Sequence, residues 1–364
     1  MYLKSKRKKV DAEKSKKRKK VAHVLKSSIY SGAENVVLTI IRELKDEFEF
    51  VYIATDGSIR EKLEEENVTY LLLKEFNRRN LNKAIQDFSP DIIHAHDFSA
   101  TVMCGTLSGR FRLISHLHYD PPWSRKWNVK TVAYWIISNR VERILAVSQG
   151  AYNNFAFAKI LSEKTVIIGN PIDKIRILRM GGKEKEKRYD LLFVGRFVEQ
   201  KNPLAFVEIV NILKKSGKNI KAAMIGTGEM ETECKCLIKK YKLENEIQLL
   251  GFQKNPYHYM KISRLLCMTS KWEGYGLVAV EANVLGIPVL STKTGGVTDI
   301  FGEKADELCE GVDVFVEKII NLLNDSIEYK KWCEKASIRQ KSFREQAVYI
   351  SNLNSIYKKD MENK

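Results

Sequence analysis

Short runs rich in valine and isoleucine recur along almost the whole chain, and a helical pattern follows nearly every one. "VAHVL" (21–25), "FEFVYIA" (48–54), "VTYLLL" (68–73), "DIIHAH" (91–96), "RLISHLH" (112–118) and "RILAVS" (143–148) read as strands. Helical stretches at 33–44, 79–88 and 128–140 fall between them. Strands that alternate with helices predict a parallel sheet covered on both faces. The rhythm breaks at residues 174–188, "KIRILRMGGKEKEKR", where a Gly-Gly pair and mixed charges read as a linker. It then restarts with strands at 190–195, 220–226, 247–251, 264–270 and 287–292, and helices at 203–215, 229–241, 256–262 and 277–285. The expected fold is α/β, with doubly wound domains over 21–173 and 189–342 facing each other across a cleft. Ligands of such sheets sit beyond the carboxyl ends of the strands, so the loops after strands are where chemistry is sought.

At 364 residues the chain is long enough for each domain to bury its own core. No apolar run approaches the roughly 18 residues that cross a bilayer, and the N-terminus is too charged for a secretory signal, so a cytoplasmic protein is expected. The six cysteines (104, 234, 236, 267, 309 and 333) are scattered and read as reduced thiols rather than zinc ligands. Charge is uneven. Residues 1–20 hold eleven Lys or Arg against Asp11 and Glu13, about half of the net charge of +17. Such a block repels itself and is expected to be disordered: a solvated tail, a clamp on anionic lipid head groups at a membrane surface, or, less favoured, a nucleic-acid arm.

One loop carries the strongest signal. In "KWEGYGLVAVEANVLGIPV" (271–289), Glu273 and Glu281 bracket a turn that Gly274 and Gly276 allow and a helix that opens at Leu277. Gly286 and Pro288 close that helix. Glu281 then lies about 6 Å along the helix from Leu277, and the free amides of the first turn favour a phosphate between the two carboxylates. A nucleoside diphosphate sugar has that layout: ribose hydroxyls, a diphosphate, and a sugar with hydroxyls of its own.

"WEGYGLVAVEANVLGIPVLSTKTGG" resembles the E-x7-E signature and the subsequent G-x-P-V segment of the family 4 retaining glycosyltransferases of GT-B fold. Further matches come in the family's order: "SGAENVV" (31–37), "PDIIHAHDF" (90–98), "GNPID" (169–173) and "FVGRFVEQKNP" (193–203). The resemblance implies two Rossmann-like domains and a C-terminal helix, within 343–364, that crosses back to the first. It further implies that Arg196 and Lys201 bind the diphosphate and stabilise the charge that develops on it, that Glu281 takes the ribose hydroxyls, and that Glu273 takes the transferred sugar. The amides of Tyr275, Gly276 and Leu277 would approach sugar and phosphate, Gly32 would let backbone come close to the diphosphate, and the base would rest at Phe252 in "GFQ". His118 in "SHLHYDPP" would stand beside the transferred sugar, with His116 where the family more often has Thr. "GNPID" carries Gly-Asn-Pro where Pro-Asn-Gly is common, which weakens Asn170 as a site residue.

Each reading has a plainer counterpart. The carboxylates and cations could be surface groups, and His118 a structural histidine. His94 and His96 alternate on one strand and read as structural, as a sugar contact, or as metal ligands, although "HAHDF" lacks the next histidine of an H-x-H-x-D-H site. A glycoside hydrolase also needs two carboxylates, but flanking one bond at about 5 to 9.5 Å with one pKa raised. A helix N-terminus is expected to lower an acid's pKa. A nonenzymatic polyanion-binding protein is the other alternative. The expectation adopted is a retaining hexosyltransferase that uses a nucleoside diphosphate sugar, a uridine one, as co-substrate, with no cofactor and no metal. Aromatic and basic residues together in "PPWSRKWNVKTVAYWII" (121–137) suit a membrane interface or sugar stacking, and equally an ordinary helix with a buried aromatic face; combined with the basic tail, they favour a lipid-linked glycan as acceptor, at the inner membrane face, in surface polysaccharide assembly.

Overall fold

A computed structural model describes residues 18–184, 186–343 and 345–359. Most of the basic tail assigned to residues 1–20 therefore lies outside the described residues, and Lys20 already opens the first strand.

Two parallel sheets carry the chain. The first contains β1 (Lys20–Val24), β2 (Glu49–Thr55), β3 (Tyr70–Leu73), β4 (Ile92–His96), β5 (Arg112–Leu117), β6 (Val141–Ala146) and β7 (Thr165–Ile167), in the order β3-β2-β1-β4-β5-β6-β7. The second contains β8 (Tyr189–Val194), β9 (Ala222–Ile225), β10 (Ile247–Gly251), β11 (Ser263–Met268), β12 (Val289–Thr292) and β13 (Leu308–Cys309), in the order β10-β9-β8-β11-β12-β13. Strand order reverses between β1 and β4 in one sheet and between β8 and β11 in the other. Loops that diverge at such a reversal leave a crevice at the carboxyl ends of the strands.

The second sheet shows why its strands read as near-continuous apolar runs. Leu191 and Phe193 of β8 point into a core with Phe206, Val207 and Val210 of the helix Pro203–Lys215. Leu192, between them, points the other way, toward Ala279, Val280 and Val284 of the helix Leu277–Val284. Successive side chains alternate between faces, and both faces are covered.

The chain forms two compact units. Among the described residues, one gathers those up to His116, Val132–Leu145 and those from Ile350 to Lys359; the other holds Leu117–Thr131 and those from Ala146 to Tyr349. The segment read as a linker opens instead with a helix, Lys174–Gly181, whose first turn is capped by Asp173 accepting from the Arg176 amide at 2.8 Å. Ile177 is buried there, and Gly182 at φ 77° ends the helix, so the linker signal belongs to the Gly-Gly pair and the charged residues after it.

From Ile350 on, the helix Gln346–Lys358 belongs to the first unit. Arg112 of β5 holds its end. The guanidinium is buried and uses every N–H it has: Nε and Nη2 donate to the two oxygens of Glu142 at 2.7 and 2.8 Å, Nη1 to the carbonyls of Tyr357 and Lys359 at 3.0 and 2.8 Å, and Nη2 to that of Ile356 at 2.7 Å. A cation at the C-terminal carbonyls of a helix satisfies orphan acceptors and opposes the dipole. Asn354 also donates to Glu47 at 2.9 Å, and Lys358 pairs with the same carboxylate.

Candidate active site

Three loops at the carboxyl ends of β8, β10 and β11 bring most of the expected residues to one end of the second sheet. The loop after β8 carries Arg196 and Lys201 and ends at Asn202, whose left-handed backbone (φ 50°) lets Pro203 start the next helix. The loop after β11 carries Glu273. Lys201 Nζ donates to Glu273 Oε1 at 2.5 Å, and Ser270 Oγ donates to the same oxygen at 2.6 Å. Glu273 is buried, and only 19% of the Lys201 side chain is exposed, so this ion pair is shielded from water. Gln200 laces the two loops, donating to the Trp272 carbonyl at 3.1 Å and accepting from the Lys271 amide at 2.8 Å. Arg196 is exposed and reaches Gln200 Oε1 at 3.4 Å.

The glycines of "EGYG" are fixed by contact. A Cβ on Gly274 would lie 1.8 Å from the His118 carbonyl oxygen and 2.8 Å from Tyr119 Cα, so the backbone bearing His118 rests directly on Gly274. Ser148 Oγ donates to the Gly274 carbonyl at 2.5 Å, and a Cβ on Gly296 would lie 2.4 Å from that same oxygen. Gly276 adopts φ 86° and precedes Leu277, the first residue of the eight-residue helix, with Tyr275 half-buried just before it. Burial of the His118 ring pushes the imidazole down to about 3, so it is neutral at physiological pH.

Glu281 corrects one expectation. The helix N-terminus would lower its pKa, yet burial pushes the carboxyl up to about 7, against the pull of the Tyr257 hydroxyl and Arg176. Glu281 is the fifth residue of its helix, and the dipole's influence fades within the first turn, so desolvation wins. Tyr257 donates to its Oε1 at 3.0 Å. Phe252 follows β10 and is 62% exposed.

Gly32 lies in the first unit, exposed at the start of the helix Gly32–Leu44, where Ser31 donates to Glu34 at 2.5 Å. His116 is fully buried in β5 opposite His96 of β4. Asn170 is buried, next to Gly169, on which a Cβ would stand 3.8 Å from the Tyr275 hydroxyl. Sequence reasoning missed Ser270, Gln200, Ser148 and Tyr257. Ser270 and Gln200 sit inside or beside the quoted motifs, whereas nothing in "PYHYMK" marks Tyr257 as a partner of Glu281.

An exposed guanidinium, a shielded lysine–carboxylate pair, the amides of a helix start and a second, protonatable carboxylate thus share one sheet end. Such a set suits a polyhydroxylated, negatively charged ligand.

The family model described as Glycosyltransferase Family 4 matches residues 30–176, and that described as Glycosyl transferases group 1 matches residues 175–339. The uncharacterized glycosyltransferase MJ1059 of Methanocaldococcus jannaschii is 27% identical over 237 residues, 58% of this chain and 58% of that protein's own length. The capsular polysaccharide biosynthesis glycosyltransferase CapH of Staphylococcus aureus is 26% identical over 290 residues, 75% of this chain and 81% of that one. The N-acetylgalactosamine-N,N'-diacetylbacillosaminyl-diphospho-undecaprenol 4-alpha-N-acetylgalactosaminyltransferase of Campylobacter jejuni is 30% identical over 192 residues, and the match spans half of each chain (50% and 51%). Among solved structures, Anabaena Alr3699/HepE in complex with UDP-glucose shares the fold at TM-score 0.80 and 19% identity, covering 93% of this chain and 99% of that one. Together the two family models cover residues 30–339, which hold every strand of both sheets but β1, and the chain belongs to the family 4 glycosyltransferases of GT-B fold.

Proposed function

We propose that the chain transfers a hexosyl group from a uridine diphosphate sugar to a hydroxyl of a lipid-linked glycan, with retention at the anomeric carbon and without a metal, in the assembly of a surface polysaccharide. The observation that carries this reading is the Lys201–Glu273 pair beside the start of the helix Leu277–Val284. Without donor, the two groups neutralise each other. With donor, Lys201 turns to the diphosphate together with Arg196, and Glu273 is left to accept from the sugar hydroxyls. The Tyr275, Gly276 and Leu277 amides add donors at the phosphate, and Glu281 accepts from the ribose. The bond from the anomeric carbon to the phosphate oxygen breaks, the bond to the acceptor oxygen forms on the same face, and the acceptor's proton leaves to the departing diphosphate. Lysine and arginine lower the barrier by stabilising the charge that builds on that leaving group.

The acceptor reading is supported by Trp127 and Val129, 69% and 86% exposed, amid Arg125, Lys126 and Lys130. Exposed apolar and basic residues together suit an anionic lipid surface. Arg125 is held by the buried Asp120 at 2.9 Å, which presets its position. The relatives named for capsular polysaccharide and for a diphospho-undecaprenol acceptor agree with this class of acceptor. The donor is tested by thermal shift and slow hydrolysis against a panel of nucleoside diphosphate sugars, with Arg196→Ala as control. Stabilisation and sugar release by one uridine donor, both lost in the variant, are expected. Release of the opposite anomer, or equal response in the variant, would overturn the reading.

A further inference from the structure

Four histidines meet on one face of the first sheet. Register sets this: His23 of β1 lies opposite His94 of β4, and His96, two residues on, lies opposite His116 of β5. Residues two apart on a strand share a face, so the imidazoles form a block. None is more than 2% exposed. Ring centroids stand 4.4 Å apart for His94 and His96, 5.1 Å for His23 and His94, and 5.2 Å for His23 and His96. Nδ1 of His23 lies 2.9 Å from Nε2 of His96. The C-terminal helix closes over them: the Tyr357 hydroxyl is 2.5 Å from His94 Nδ1, and its ring meets that of Phe48 edge-on at 5.3 Å. Imidazoles need polar partners wherever they are buried, and aliphatic side chains would fill such a layer at less cost.

We infer that His23, His94 and His96 together bind one borderline divalent cation of the zinc class beneath the C-terminal helix. One ligand atom from each lies within 4.8 Å of the others. Two nitrogens on a tetrahedral zinc at 2.0–2.1 Å stand about 3.3 Å apart, so the His23–His96 pair opens by only about 0.4 Å as the ion replaces its hydrogen bond. Neutral imidazoles select zinc, copper or nickel over magnesium or calcium. The Tyr357 hydroxyl, 2.5 Å from Nδ1 of His94, orients that ring; such outer contacts fix the tautomer of a ligating imidazole. Three protein ligands leave a fourth position for water or hydroxide, and hydroxide halves the charge placed in this buried layer. The ion is structural: it ties β1 to β4 and, through Tyr357, to the last helix, and it takes no part in the reaction proposed above. Because the ligands are fully buried, the metal enters as the unit folds and exchanges slowly.

Untagged protein is expressed in zinc-supplemented and in cobalt-supplemented medium and freed of loose ions by gel filtration in a weak chelator. About one metal per chain is expected, with a higher Tm than for protein made in metal-depleted medium, and with the intense visible bands of four-coordinate cobalt. The His23→Gln, His96→Gln double variant is expected to lose both metal and Tm difference. A trace of metal only, or equal metal in the variant, overturns the inference in favour of a purely hydrogen-bonded histidine layer. Should the variant fail to fold, the wild-type cobalt spectrum decides alone, and faint six-coordinate bands overturn it.

Discussion

Glu281→Gln tests the donor site through its pH dependence. The carboxyl stands at about 7 in the donor-free protein because its walls disfavour charge. A ribose that donates two hydroxyls to Glu281 selects the ionised form. At pH 6 about one molecule in eleven carries that form, and at pH 8 about ten in eleven, so donor affinity should rise about tenfold across this range. UDP-glucose is the probe of choice, because its diphosphate diester does not titrate there whereas the terminal phosphate of UDP does. Calorimetric titration of wild type should show the rise, Glu281→Gln should bind weakly and without slope, and Tyr257→Phe should move the midpoint upward by removing a bond to the charged form. The sign for stability is opposite. A raised acid pKa leaves stability untouched below the ordinary 4.5 and erodes it as pH climbs toward 7, by about 3 kcal/mol in all for a shift of this size. The glutamine variant should therefore resist urea better than wild type above pH 7 and equal it near pH 4. Wild-type affinity that stays flat from pH 6 to 8, or a glutamine variant with the same slope, would refute the reasoning.

Two further outcomes rest on the packing. Arg112→Ala removes a buried cation with five hydrogen bonds, but Glu142, about one third exposed, recovers water, so about 3 kcal/mol should be lost; amide exchange over residues 346–358 should accelerate about 100-fold or more, and an unchanged rate would show that the helix is held by other contacts. Because Arg112 holds the Glu142 carboxyl below the ordinary carboxylate range, that contribution is full at neutral pH and should fade as pH falls through the lowered value. Gly274→Ala places a methyl on the backbone of His118, where nothing flexible can give way. It should cost about 1–3 kcal/mol of stability and most of the transferase activity in a radiolabelled-sugar assay, and a fully active variant would mean that this loop packing is dispensable.

Elements buried on both sides were the most legible in the sequence, because a strand such as "DLLFVG" must be apolar at nearly every position to face two helical layers. The loop of Glu273 was legible too, since its glycines and its strand-to-helix switch are local. What stayed hidden is what distance in the chain conceals. Lys201 and Glu273 are 72 residues apart, and no spacing rule pairs them. The raised pKa of Glu281 depends on side chains from other elements, and the dipole argument, which is local, gave the wrong direction. The short β7 and β13 carry too few residues to show a period, and the helix Lys174–Gly181 was obscured by the glycines that end it. "HAHDF" revealed an alternating pair of histidines, but only the register of β1, β4 and β5 assembles His23 and His116 beside them.

Arg112 also sets an order of events during synthesis. The first four strands, β1 to β4, are made before it, yet three of its acceptors are carbonyls at residues 356, 357 and 359. Until those emerge, the guanidinium and the histidine layer lack their cover, while residues 146–349 of the second unit are being translated. A nascent chain of this kind keeps a face that the finished fold buries open for most of its synthesis, which invites chaperone binding and makes ribosome-bound intermediates prone to association. For the same reason, a substitution among residues 350–359 would act on the folding of the first unit, although most of that unit is made about 200 residues earlier.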